Sequence, residues 1–449
     1  MKIALICTEK LPVPPVAGGA VQLYISEILP YLKERHNITV FSKIHPRLSP
    51  DEVVDNVRYI RVPAANASKY VKNVKDLLDE SFELIHIFNR PKWVLDFSEK
   101  LPSAKFSLSL HNEMFLPDKI PYEKAVECIN RVEFINTVSK FIADGVKQLY
   151  PMAEDKLRVV YSGVNIEKYK PNWSPEGICN KELLKKKLGI ENKRVILHVS
   201  RLSPKKGTHI VLSAMKKVMD CFDDVALVII GSKWYGKNEE DDYTKQCKAL
   251  AEQLSGPVVF TGFIPPSEIP PYYNVGDIFV CASQWNEPLA RIHYEAMAAG
   301  LPIITTDRGG NAEIFEDNVN GIIIKDYKNP DSFADNIIYL LNNPHTALEM
   351  GKKAFESALS RFTWKRVADE VLAPIQNFDQ RITVNDNKTQ SGLAKENIIE
   401  EDIMKENNDE KATEEKSTEE IETFFDDTNF FKIKPDKFFK LRKHRFRLS

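Results

Sequence analysis

The sequence predicts an α/β protein of two domains, each a parallel sheet wrapped by helices, and three observations carry that prediction. The chain has 449 residues with 43% hydrophobic composition, too many for one ordinary core. Short β-rich apolar runs alternate with longer amphipathic stretches, the pattern of β-α units that build a parallel sheet. That alternation also runs twice, with a charged break between the two series.

The first series opens with KIALIC, continues through a helix-like stretch from Val21 to Arg35, and proceeds through ITVFS, FELIHIF, KFSLSL and FINTVS. The second begins at RVILHVS and continues through VALVIIG, VVFTGF, DIFVCAS and LPIITT. Between them, Lys170 to Asn192 carries PNWSP and KELLKKK, which interrupt the pattern. The expected domains are therefore residues 1–172 and 190–361. The segment FTWKRVADEVLAPI follows, with Trp364, Val367, Val371, Leu372 and Ile375 on one helical face and Thr363 as N-cap. Residues 362–376 are expected to form a closing helix that Pro374 ends or kinks.

From about residue 377 the composition changes. The stretch Lys395 to Asp427 is dominated by Asp and Glu with few apolar residues, which reads as disordered or transiently helical. The chain then ends in FKIKPDKFFKLRKHRFRLS, where Lys and Arg interleave with Phe. This basic end either folds back on the acidic stretch or binds an acidic partner.

A formal charge of -2 gives no net attraction to nucleic acid or to anionic lipid. The six cysteines are scattered with no C-x-x-C pair, which fits a reducing compartment and argues against a zinc or disulfide framework. No apolar run reaches the length of a membrane span, so a cytoplasmic location is expected.

The chemistry-bearing residues cluster after predicted strands. Gly18 and Gly19 lie between the first strand and first helix, where small residues let backbone N–H groups approach an anion, although a glycine pair also serves an ordinary turn. His111 ends its strand and is expected at the crevice, whereas His86, flanked by isoleucines, reads as a buried histidine. Arg201 and Lys206 follow the first strand of the second domain and suit phosphate oxygens. In NEPLARIHYEAMAAGLPIITT, Glu287 and Glu295 stand eight apart, and a helix starting near Pro288 would aim the N–H groups of Leu289, Ala290, Arg291 and Ile292 outwards as an anion site. A solvated helix face is the plainer reading of the two glutamates, but the alanines and methionine after Glu295 speak against full exposure. No Asp-x-Asp occurs anywhere, so positive side chains and a helix N-terminus are expected to neutralise a leaving diphosphate without a metal.

Taken together and in this order, these motifs resemble the retaining glycosyltransferases of family 4, over about residues 1–376. The resemblance implies the GT-B fold, two facing Rossmann-like domains with an acceptor side in the first and a nucleotide-sugar donor bound mainly to the second. It implies Arg201 and Lys206 as the diphosphate pair, Glu287 and Glu295 as the E-x7-E pair for sugar and ribose, and Gly18 and Gly19 as a phosphate-side loop. His111 becomes the histidine near the reacting sugar, and the loops at Gly231 and Phe263–Ile264 the base-binding backbone. The family usually reads E-P-F-G where this chain has Glu287-Pro288-Leu289-Ala290, and the Ala290 methyl group narrows the approach.

The stretches TEKLPVP, NRPKWV, LHNEMF, YSGVN and GSKWYG are nearer to a spore-coat subgroup of the family. That implies sugar transfer to a glycan, lipid or protein acceptor in spore coat or surface polysaccharide formation; the C-terminal tail lies outside the resemblance, and a coat-protein partner through it is a separate expectation. The alternative is a coat-assembly protein that keeps the fold without turnover. An epimerase on the same fold has no feature in its favour.

Overall fold

The computed structural model describes residues 1–16, 18–232 and 241–375. The charged tail from residue 377 lies outside them.

The two predicted Rossmann-like layers are present. The first sheet holds β1 (Lys2–Ile6), β2 (Asn37–Lys43), β3 (Asp51–Val54), β4 (Val57–Val62), β5 (Leu84–Phe88), β6 (Lys105–Leu110), β7 (Phe134–Thr137) and β8 (Leu157–Val159), in the order β3-β4-β2-β1-β5-β6-β7-β8. All pairs are parallel except β3 with β4. The second sheet holds β9 (Arg194–Val199), β10 (Val225–Ile230), β11 (Val258–Gly262), β12 (Ile278–Val280), β13 (Ile303–Thr306) and β14 (Ile322–Ile324), in the parallel order β11-β10-β9-β12-β13-β14. Strand order reverses at β1/β5 in one sheet and at β9/β12 in the other. In open α/β sheets the crevice beyond the carboxyl ends of the strands at that reversal is where ligands bind.

Strands buried on both faces explain the unbroken apolar runs: Val225–Ile230 is buried throughout. Four strands lie outside the predicted series. Asp55 and Asn56 have φ of 50° and 63°, a two-residue turn that folds DEVV onto VRYIRV as an edge hairpin. Leu157–Val159 and Ile322–Ile324 are three-residue edge strands, too short for a pattern to register. The interrupted stretch Lys170 to Asn192 contains helix Pro175–Leu188, capped by the Ser174 hydroxyl and closed by a left-handed Gly189. Its Lys181 and Lys185 both reach the Asp277 carboxylate.

The last helix, Trp364–Val371, starts where the Thr363 side chain accepts the N–H of Arg366. Its apolar face returns to the first half: Trp364, Val367, Val371, Leu372 and Ile375 join Val21, Tyr24, Ile25 and Ile28 of helix Ala20–Leu32 in one buried cluster. The chain leaves the first half through Val160–Val164 and comes back at Phe362–Trp364. These two crossings run side by side, with Val164 N–H donating to the Phe362 carbonyl at 2.9 Å.

Trp364 is 4% exposed and wedged at this junction, edge-on to Tyr24 at 5.5 Å, with the Arg291 guanidinium 5.5 Å from its ring centroid. Removing it leaves a void touching both halves. Trp364→Ala is expected to destabilise the protein by about 3–5 kcal/mol, measured by denaturant unfolding; a change within experimental scatter would refute this role.

Candidate functional site

Two adjoining cavities open at the carboxyl ends of the strands. The larger, about 490 Å³, is lined by Gly18, Gly19, Ala20, Leu23 and Asn112 from the first half and by Val199, Ser200, Arg201, Lys206, Pro266, Trp285, Glu287, Pro288, Leu289, Ala290, Arg291, Ile292 and Glu295 from the second. The smaller, about 230 Å³, continues past Arg201, Ile292 and Glu295 to Gly231, Ser232, Phe263, Ile264 and Tyr169. The residues singled out in sequence thus meet in one cleft, with His111 as the exception.

Each position follows from local backbone. Gly18 and Gly19 turn the chain from β1 into helix Ala20–Leu32 with φ of 84° and 106°, and a Cβ on Gly19 would lie 2.2 Å from Gln22 Oε1. Arg201 leaves the end of β9 and is exposed. Lys206 closes the turn Pro204–Lys206 ahead of helix Thr208–Cys221.

Glu287 is 7% exposed and fully engaged: Lys206 Nζ pairs with Oε1, and the Ser283 hydroxyl donates to Oε2 at 2.5 Å. Burial pushes its carboxyl up, but the Lys206 charge and hydrogen bond, with Ser283, outweigh burial and hold it below the usual carboxylate range. Its backbone is gripped as well, because Gly309 bridges it and Gly310 N–H donates to its carbonyl at 2.8 Å.

The following helix begins later than Pro288. It spans Arg291–Ala298, with Ala290 as N-cap and the Ala290 N–H donated to Asn311 Oδ1 at 3.0 Å. Glu287 therefore belongs to an extended strap ahead of the helix, and Glu295 to the helix itself, so the two do not share a helical face. Ala290 in that strap has φ of -75° and ψ of 125°, an ordinary conformation for any residue.

Glu295 accepts the Tyr273 hydroxyl at 2.7 Å and lies 3.5 Å from Arg291. Burial raises its pKa, and Arg291 and Tyr273 offset only part of that.

His111 lines neither cavity. Its backbone N–H donates to Asn89 Oδ1 at 2.7 Å, its ring lies edge-on to Tyr24 at 4.7 Å, and its Nε2 is buried without a partner. The neighbouring Asn112 reaches the cavity instead. His86 is fully buried between the Ser107 and Ser109 hydroxyls, each 2.7 Å away, as its apolar flanks imply.

Sequence reasoning missed Trp285, Ser283, Tyr273 and Asn311. Trp285 stands two residues before Glu287 and carries Lys205 over its ring at 4.9 Å, so proximity in sequence was an available signal. Tyr273 and Asn311 come from distant segments with no local mark. Among the described residues no group of three or more His, Cys, Asp or Glu side chains is placed to hold a metal ion, and no helix is long and apolar enough to cross a membrane.

Comparison with known proteins supplies a context for this geometry. Residues 17–168 match the family described as Glycosyltransferase Family 4, and residues 180–357 match Glycosyl transferases group 1. The chain is 44% identical over 374 residues to spore coat protein SA of Bacillus subtilis, covering 83% of this chain and 98% of that protein. It is 42% identical over 368 residues to YtcC of the same organism, covering 82% and 90%. Among solved structures, Anabaena Alr3699/HepE in complex with UDP-glucose superposes with a TM-score of 0.66 at 21% identity, over 84% of this chain and 100% of that one.

Four buried histidines give the protein a defined acid response. Burial pushes His86 and His111 down to about 3 and His198 and His293 to about 4. In an unfolded chain they titrate near 6.5, so below about pH 6.5 the unfolded state takes up protons that the folded state refuses. Stability is therefore expected to be full above about pH 6.5 and to fall as pH drops towards the folded values. A melting temperature unchanged between about pH 7 and pH 5 would contradict this.

Proposed function

The chain belongs to glycosyltransferase family 4 with the GT-B fold, and on that premise we propose that it moves a sugar from a nucleoside-diphosphate sugar to an acceptor hydroxyl with retention at the anomeric carbon. One observation carries the reading: Arg201, Lys206, Glu287 and Glu295 converge on a cleft whose opposite wall holds Gly18 and Gly19. A nucleotide-sugar donor needs cations for the diphosphate, carboxylates for hydroxyls and backbone close to phosphate, and the cleft offers each.

In this reading the diphosphate lies between Arg201, Lys206 and the Arg291–Ala298 helix end, with Glu287 towards the sugar hydroxyls and Glu295 towards the ribose. The base occupies the smaller cavity against Gly231 and Phe263–Ile264. The bond from the anomeric carbon to the phosphate oxygen breaks as the bond to the acceptor oxygen forms on the same face. The departing phosphate oxygen takes the acceptor proton, so no separate base is required. Arg201, Lys206 and the helix end stabilise the charge that develops on the diphosphate. His111, next to the cleft residue Asn112, is assigned in the same reading to the oxocarbenium-like sugar.

The acceptor belongs to the class of glycans, lipids or proteins of a spore coat or cell surface, a reading supported by the similarity to spore coat protein SA. The alternative, a coat protein that keeps the fold without turnover, leans on Ala290 and the tail, and the intact Arg201, Lys206, Glu287 and Glu295 oppose it.

Arg201→Ala is expected to weaken nucleoside-diphosphate binding by about 1.5–3 kcal/mol, roughly ten- to a hundredfold, because it removes charge-assisted bonds to phosphate. Calorimetric titration showing wild-type affinity would remove Arg201 from the site. Thermal protection across UDP-, GDP-, ADP- and dTDP-sugars identifies the donor, and protection by none of them would overturn the reading. Turnover with that donor is expected to persist in EDTA, since the chain lacks Asp-x-Asp. Complete loss with chelator and recovery with manganese would point to a metal-dependent reaction.

A further inference from the structure

Glu313 lines neither cavity, yet it ties the donor-side strap to the opposite half. It sits in the short turn Asn311–Ile314, directly after the Gly309–Gly310 pair that holds the Glu287 backbone. Its Oε2 accepts the N–H of Lys140 and its Oε1 that of Phe141, both at 2.6 Å, and Oε2 also accepts the Tyr161 hydroxyl at 3.0 Å.

Those are the first two N–H groups of helix Lys140–Leu149, and the third, of Ile142, is taken by the Ser139 hydroxyl. A helix of the first half is thus capped by a carboxylate of the second, the sign of charge that a helix N-terminus favours. Burial and the adjacent Glu313 carboxylate push the Tyr161 phenol up to about 12, so it remains a donor.

The same turn is fixed to the strap. Gly310 N–H donates to the Glu287 carbonyl at 2.8 Å, and the Asn311 side chain accepts the Ala290 N–H. Gly310 stands between the two halves: a Cβ there would lie 2.1 Å from the Pro288 carbonyl oxygen and 2.7 Å from the Ser139 Cβ.

We propose that Glu313 is a positioning residue, the latch by which helix Lys140–Leu149 fixes the strap Glu287–Ala290 relative to the first-half wall of the cleft. Its effect on turnover rests on the glycosyl-transfer reading; the latch itself does not. A residue that merely capped a helix would leave the strap untouched.

The test uses the full chain as wild type, Glu313→Ala, the isosteric Glu313→Gln, and Gly310→Ala, which keeps the carboxylate but wedges the contact. Hydrogen–deuterium exchange follows the amides of residues 139–149 and of 287–292, calorimetry follows UDP binding, and turnover is followed with UDP-glucose. Glu313→Ala is expected to speed exchange in both segments, with Glu313→Gln intermediate. UDP affinity is expected to change much less than kcat, since Arg201 and Glu295 stand outside the strap, while kcat falls on the order of tenfold or more. Gly310→Ala should lower kcat in the same way.

Faster exchange confined to 139–149 would reduce Glu313 to a helix cap and overturn the proposal, as would unchanged exchange in both segments. UDP affinity and kcat falling together would place Glu313 in the donor site and overturn it as well. If the wild type neither binds UDP nor turns over UDP-glucose, that donor is wrong, and the exchange of the two segments decides the latch. Should Glu313→Ala fail to fold, Glu313→Gln and Gly310→Ala carry the same comparison.

Discussion

Every property of the cleft depends on how two separately folded sheets are held at a fixed offset, and the chain solves this by crossing between them twice in nearly the same place. The outgoing segment at Val164 and the returning one at Phe362 and Thr363 are hydrogen-bonded to each other, and Trp364 fills the corner they make. Carboxyl ends of both sheets face each other only while that geometry persists, so residues far from the crevice govern what meets inside it.

Within the cleft, charge is arranged so that few groups stand alone. Glu287 and Lys206 neutralise each other, Glu295 is shared between Tyr273 and Arg291, and the histidines nearby are neutral. Such pairing lets buried carboxylates be retained in an apolar surrounding where an isolated charge would be unfavourable by several kcal/mol. It also leaves Arg201, at the exposed lip, as the cation most accessible to an arriving phosphate.

The major strands and the cluster of glutamates, cations and glycines were legible because they follow from local pattern: apolar runs for strands, small residues in tight loops, charged residues after strand ends; the strand order and its reversal points came only with the fold. The β3–β4 hairpin carried a weaker signal in Asp55-Asn56, masked by the polar character of an edge. The late start of the helix at Arg291 was hidden because Asn311, twenty-one residues away, takes the Ala290 N–H. The same is true of Tyr273 on Glu295 and of Glu313 on Lys140: hydrogen bonds between distant segments leave no periodicity. His111 follows its strand as expected, yet its ring packs edge-on to Tyr24 and lines neither cavity, a packing outcome that strand position alone does not convey.

On the proposed reading, the contact between Lys206 and Glu287 would make the cleft a coincidence detector. A simple anion that drew Lys206 away would strand a buried carboxylate, and a neutral sugar that occupied Glu287 would strand a buried ammonium, so each alone meets opposition. A molecule that brings phosphate and hydroxyls together can satisfy both partners at once. On that reading, discrimination against free phosphate and against free sugar would be a property of one ion pair, with no separate gate required.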